Sequence, residues 1–117
     1  MSATAPELSV VIPFYNETLN VAPLLAEVQN LLASLAVTAE VVCIDDGSGD
    51  LTAAELAAGA RSWSSVRVEH FEKNRGQAAA LRRGFQMARA AVFYLTETKN
   101  FTAFIKNIRS QQYMPRQ

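Results

Sequence analysis

The sequence predicts one α/β domain built on a parallel sheet, and three observations carry that prediction. Four short runs rich in Val, Ile and Phe alternate with stretches whose apolar residues recur at helical spacing. Two of those runs, residues 8–14 and 40–44, are almost continuously apolar, as suits strands buried on both faces. The resulting order, βαβαβαβ(α), fits parallel strands joined by right-handed crossovers. A length of 117 residues, half of them hydrophobic and 19% charged, is enough for one packed core.

Residues 8–14 (LSVVIPF) form the first expected strand, with Pro13 ending its pairing and turning the chain. Val21, Leu24, Leu25, Val28, Leu31, Leu32 and Leu35 then make one apolar stripe, predicting a helix of about five turns. Asn16 or Thr18 is its expected cap, and Pro23 is tolerated near the first turn. Residues 40–44 (EVVCI) form the second strand, in which Cys43 reads as a small core residue. The strand runs into Asp45-Asp46-Gly47-Ser48-Gly49-Asp50, a loop of turn formers. Thr52 and Glu55 have capping-box spacing, so a second helix is expected from Thr52 to about Ser62. Residues 66–71 (VRVEHF) alternate and form the third strand. Asn74 or Gly76 opens a third helix, with Ala78, Leu81, Phe85 and Ala88 on its inner face. Residues 91–95 (AVFYL) form the fourth strand, and residues 101–113 a weaker helix faced by Phe101, Phe104, Ile105 and Ile108. Residues 114–117 are expected to fray.

Charge is divided along the chain. Residues 1–60 carry eight acids and no Lys or Arg, a balance of −8; residues 61–117 carry eleven basic residues against three acids, +8. In a compact fold the halves attract each other, and a basic edge attracts an anionic ligand. The single cysteine excludes an internal disulfide and a cysteine-rich zinc site. No apolar stretch is long enough to span a bilayer, and residues 1–6 lack the basic-then-apolar pattern of a signal peptide, so the cytoplasm is the expected compartment. The basic residues lack interleaved aromatics at a recognisable spacing, so no nucleic-acid partner is expected.

In parallel α/β sheets ligands bind beyond the C-terminal strand ends. That rule selects residues 13–17, 45–50, 72–76 and 96–100. In the first segment Tyr15 offers a flat face to a base, and Asn16 or Glu17 can accept from a ribose or base; the bland reading is a strand-end turn with a helix cap. In the second, adjacent carboxylates at a strand end are costly unless one faces solvent or a ligand, while Asp50 reads as a cap for the following helix. The third, Asn74-Arg75-Gly76-Gln77 leading to Arg82 and Arg83, reads either as an anion site at a helix start or as a solvated basic face. His70, a lone histidine at a strand end, is assigned no role. The G-x-G-x-x-G fingerprint of dinucleotide-binding folds is missing after the first strand, and the acidic loop lacks the closing acid of a calcium loop.

Three motifs in order, V-V-I-P-F-Y-N-E, D-D-G-S-G-D-L-T and N-R-G-Q-A-A-A-L-R-R-G-F-Q-M-A, resemble the inverting glycosyltransferase family 2. The third looks most like the branch that transfers sugars to polyprenyl phosphates. The resemblance covers about residues 8–90, making residues 1–90 a nucleotide-sugar-binding region and residues 91–117 a divergent strand and helix of the same domain. It implies a GT-A, Rossmann-like half-domain, a nucleotide-diphospho-sugar donor (UDP or GDP) and a lipid-phosphate acceptor. It also implies Mg²⁺ or Mn²⁺, and work at the cytoplasmic face of a membrane. Carried over residue by residue, Pro13, Tyr15 and Glu17 line the nucleoside pocket and Asp46 contacts the base with Ile44 flanking it. Asn74, Gly76 and Gln77 lie near the ribose and diphosphate, with Arg82 as a further neighbour.

The departures are equally specific. Where the family has Gly-Asp before its fourth strand this chain has Ala90-Ala91, and where the family has the metal-binding Asp-x-Asp it has Glu97-Thr98-Lys99. Glu97 can serve as one carboxylate ligand; Lys99 cannot coordinate a cation, although it can neutralise phosphate. No residue matches the family's catalytic base, which the resemblance places beyond residue 117, so no catalytic residue is assigned and the chain reads as cut short. The alternative expectation is a non-catalytic nucleotide- or partner-binding module, with a second copy or a partner covering the open sheet edge.

Overall fold

The computed structural model describes residues 5–36 and 38–94. Seven elements follow in order: β1 (Leu8–Phe14), α1 (Val21–Leu35), β2 (Ala39–Asp45), α2 (Thr52–Ser62), β3 (Val66–His70), α3 (Gln77–Met87) and β4 (Ala91–Tyr94). The strands form one parallel sheet in the order β3-β2-β1-β4. The expected α/β class and parallel sheet are therefore observed. Leu95, the helix expected over 101–113 and the frayed end lie outside the described residues.

The strand order explains the layering. The path from β1 to β3 moves steadily to one side of the sheet, and right-handed crossovers put α1 and α2 on the same face. The chain then reverses, passing back over β2 and β1 to reach β4. The same handedness now puts α3 on the opposite face.

Alternation within the strands feeds both layers. Leu8, Val10, Ile12 and Phe14 of β1, with Val41 and Cys43 of β2, meet Val21, Leu24, Leu25, Val28, Leu31 and Leu32 of α1 and Leu56 of α2. The stripe read on the first helix is the buried one, although the helix is 15 residues, about four turns, rather than five. On the other face Val11, Val42 and Ile44 pack with Phe71 and Ala80.

Three local expectations are corrected. Pro13 does not end β1, because the ladder with β2 continues through Pro13↔Ile44 and Phe14↔Asp45. The Phe14 carbonyl accepts the Asp46 N–H at 2.8 Å, so Pro13, one residue earlier, turns its main-chain polar groups to the opposite edge. The pairs of β1 with β4 stop at Val11↔Tyr94, so the proline breaks no described pair. The α1 cap is Asn20, which makes no side-chain cap bond; Asn16 and Thr18 are used elsewhere.

The buried face of α3 is also displaced by a small rotation from the expected one. Ala80 and Gly84 are buried, while Ala78 and Phe85 are exposed. Small side chains let the helix approach the sheet closely: a Cβ on Gly84 would lie 2.3 Å from Val11 Cγ1. Close backbone approach, not apolar size, sets this face.

At the opposite end of the sheet from the C-terminal strand ends, Glu40 is buried and binds the halves together. It accepts from Ser9 Oγ at 2.6 Å, Arg67 Nη1 at 2.7 Å, the Arg89 N–H at 2.7 Å and Arg89 Nε at 3.1 Å. Ser9 Oγ in turn accepts the Ala90 N–H at 3.1 Å. The attraction expected between an acidic and a basic half thus takes the form of specific buried bonds.

Candidate functional site

The C-terminal strand ends bring three loops together, and the first two are clasped by reciprocal hydrogen bonds. The N–H groups of Asn16, Glu17 and Thr18 donate to Ser48 Oγ (2.9 Å), Thr52 Oγ1 (2.7 Å) and Asp50 Oδ2 (3.3 Å). Leu19 N–H is held between both Glu55 oxygens at 2.9 and 3.1 Å. In return Gly49 N–H donates to Asn16 Oδ1 at 2.9 Å and Leu51 N–H to Thr18 Oγ1 at 3.0 Å. Thr52 and Glu55 are therefore not a capping box: both side chains reach across to the first loop. Asp50 does act at the start of α2, accepting the Thr52 N–H at 2.9 Å. Its carboxyl is held down to about 2, first by Thr52 and then by Thr18. The clasp holds Asn16 at φ 52° and Leu19 at φ 74°, left-handed backbone that a leucine rarely adopts. Sequence spacing could not show these bonds, because each joins residues more than thirty positions apart.

The third loop is organised by Asp46, which is buried. Its Oδ1 accepts the Arg75 N–H at 2.7 Å, and its Oδ2 accepts Gly76 N–H and Asn74 Nδ2, each at 3.0 Å. Asn74 Nδ2 also reaches the Asp46 carbonyl at 3.1 Å. Gly47 (φ 70°) makes this approach feasible, since a Cβ there would lie 2.3 Å from Asn74 N and Lys73 C. Asp45, the other member of the acidic pair, points elsewhere. It accepts Ser48 N–H at 3.1 Å and pairs with His70 Nδ1 at 2.9 Å, a partner for the lone histidine that the sequence did not disclose.

Between these loops lies a cavity of about 180 Å³ lined by Pro13, Phe14, Tyr15, Glu17, Asp46 and Gln77. Five residues that the resemblance assigns to nucleotide binding, Pro13, Tyr15, Glu17, Asp46 and Gln77, thus share one concavity. Tyr15 is half exposed, with its ring available to a ligand. Glu17 Oε2 accepts from Asn20 Nδ2 at 2.8 Å, and no described donor takes Oε1. Asn74 and Gly76 do not line the cavity but hang on Asp46, one shell behind it. Ile44 is fully buried in the core under α3, so it supports Asp46 from below. Arg82 lies away from the cavity, in a groove along α3. Glu97, the one expected metal ligand, lies outside the described residues. Among the described residues no group of three or more His, Cys, Asp or Glu is placed to hold a metal ion.

The fold and site define a class: a parallel α/β domain with helices on both faces of its sheet and a concavity at its strand ends. The chain belongs to glycosyl transferase family 2, whose model matches residues 9–97. The match runs past Ala90, where the motif likeness stopped. The chain is 40% identical over 83 residues to an undecaprenyl-phosphate 4-deoxy-4-formamido-L-arabinose transferase of Pseudomonas aeruginosa, covering 70% of this chain and 24% of that protein. It is 36% identical over 85 residues to a dodecaprenyl-phosphate galacturonate synthase of Rhizobium johnstonii, covering 71% and 25%. Among solved structures, a mannosyltransferase from Pyrobaculum calidifontis in complex with GDP-Man and Mn²⁺ superposes with a TM-score of 0.56 at 27% identity, covering 73% of this chain and 25% of that one. The chain therefore spans about a quarter of the length of these proteins. Among the described residues no helix is long and apolar enough to cross a membrane.

Proposed function

We propose that this chain is the nucleotide-binding part of a sugar transferase that uses a UDP- or GDP-sugar and passes the sugar, with inversion, to a polyprenyl phosphate. The observation that carries the reading is the gathering of Pro13, Tyr15, Glu17, Asp46 and Gln77 around one cavity at the strand ends. The names of the relatives support the acceptor class, and the GDP-Man and Mn²⁺ of the archaeal structure support the donor class. Tyr15 stacks on the base, and Glu17 Oε1 accepts from a ribose hydroxyl. Asp46 Oδ1 keeps one acceptor site after the Arg75 bond and takes an N–H of the base, while its other oxygen holds the 74–76 loop in place. Departure of the nucleoside diphosphate needs its charge stabilised, which in this family falls to a divalent cation. Among the described residues no group of three acids, histidines or cysteines is placed to hold that ion, and in a complete relative the base for the acceptor hydroxyl or phosphate lies in the remainder of the protein.

Calorimetric titration of the purified chain with UDP and with GDP, each with and without Mn²⁺, tests the reading. One of the two is expected to bind, and Tyr15→Ala to weaken it about tenfold or more, the worth of one base–aromatic stack. A folded chain that binds neither nucleotide would overturn it.

A further inference from the structure

A second cavity, a groove of about 470 Å³, lies between the outer strand β3 and helix α3, lined by Phe71, Arg75, Arg82 and Arg83. Glu69 and Glu72 also line it. The carboxylate of Glu69 is occupied by Arg83, which donates to it through both Nε and Nη2. This pair holds the Glu69 carboxyl below the usual carboxylate range. Arg75 and Arg82 have no carboxylate hydrogen-bond partner among the described residues. The Arg75 guanidinium lies over the Phe71 ring at 4.7 Å from its centre and also acts electrostatically on Glu69.

We infer that this groove is a second binding site, separate from the strand-end cavity, for a phosphate ester. A stacked guanidinium with free donors, a second unpaired arginine on the same wall and a neutralised glutamate are what recognition of a tetrahedral anion needs. The two sites share a backbone: the Arg75 N–H is bonded to Asp46, so the residue that reaches into the groove is anchored to the wall of the cavity. The anion can be a soluble phosphate ester or the headgroup of an anionic lipid, and the test separates them.

The whole chain is titrated calorimetrically with inorganic pyrophosphate, and in parallel floated with phosphatidylcholine vesicles containing phosphatidylglycerol. Binding of pyrophosphate alone identifies a soluble ester; binding of the vesicles identifies a headgroup. In either case Arg75→Gln with Arg82→Gln weakens binding about tenfold or more, since each charge-assisted bond is worth more than one neutral bond. Both arginines are exposed, so circular dichroism is expected to show an unchanged fold, and Arg82→Gln alone reports if the double variant does not fold. Saturating the strand-end cavity with UDP or GDP is expected to leave pyrophosphate binding as it is. The inference is overturned if neither probe binds, if the arginine variants bind as well as the native chain, or if a saturating nucleotide abolishes pyrophosphate binding, which would place the anion in the strand-end cavity.

Discussion

Glu40 and Cys43 sit on one strand, and burial raises the pKa of both, but only Glu40 has partners that reverse the shift. Burial alone raises the Glu40 pKa, but the bonds from Ser9, the Arg89 N–H and the two guanidinium groups outweigh it and bring the carboxyl down to about 2, against 4.5 when unfolded. A depressed carboxyl stabilises the fold above its unfolded pKa, and that contribution is lost as pH falls from about 4.5 towards about 2. Glu40→Gln is expected to cost about 3 kcal/mol at neutral pH, because it leaves two arginines facing a neutral group. Urea midpoints measured between pH 2 and pH 7 () check both statements: the variant should lose most of the acid-dependent fall seen in the native chain. The Cys43 thiol has no such compensation and is pushed up to about 12. Iodoacetamide at neutral pH should label it only after denaturation, as mass spectrometry of the intact chain would show.

At the scale of elements, two glycines set how closely parts approach. Gly84 lets α3 lie on β1, and Gly84→Ala is expected to destabilise the fold by about 1–3 kcal/mol through overpacking against Val11, read as a lower urea midpoint. Gly47 lets the acidic loop lie under residues 73–74. Gly47→Ala adds both a strained positive φ and a clash with main chain, which cannot rotate away as a side chain can. It should therefore shift the 74–76 loop and weaken nucleotide binding more than it lowers stability. The strands and α1 were legible in the sequence because burial of whole apolar runs and stripes leaves a periodic trace; α2 was placed by an Ala-rich stretch and a capping-box spacing whose side chains serve the first loop instead. The inner face of α3 was not, since its determinant is the smallness of Ala80 and Gly84, whereas Ala78 and Phe85 look more hydrophobic. The clasp between the first two loops was equally hidden: Thr52 and Glu55 have a local reading as a capping box, and only the fold shows that Glu17 and Leu19 compete for them and win.

For the whole molecule, the topology decides where chemistry can occur. Reversal of the chain after β3 puts β2 and β4 on either side of β1, a switch point of the kind beyond whose C-terminal strand ends ligands bind. Pro13, Tyr15, Glu17, Asp46 and Gln77, singled out in the sequence because they follow buried strands in three ordered motifs, line one cavity. That Asn74 and Gly76 bond to Asp46 and that Ile44 is buried in the core depends on which way each strand-end residue faces, which the sequence does not show. The central claim is that this cavity holds a nucleoside diphosphate. Amide chemical-shift mapping of the ¹⁵N-labelled chain with UDP and with GDP tests it most directly. The account predicts that one nucleotide shifts the amides of Tyr15, Glu17, Asp46 and Gln77 together, with the 74–76 loop following through Asp46. Shifts confined to the β3–α3 groove, or none at saturating nucleotide, would contradict it.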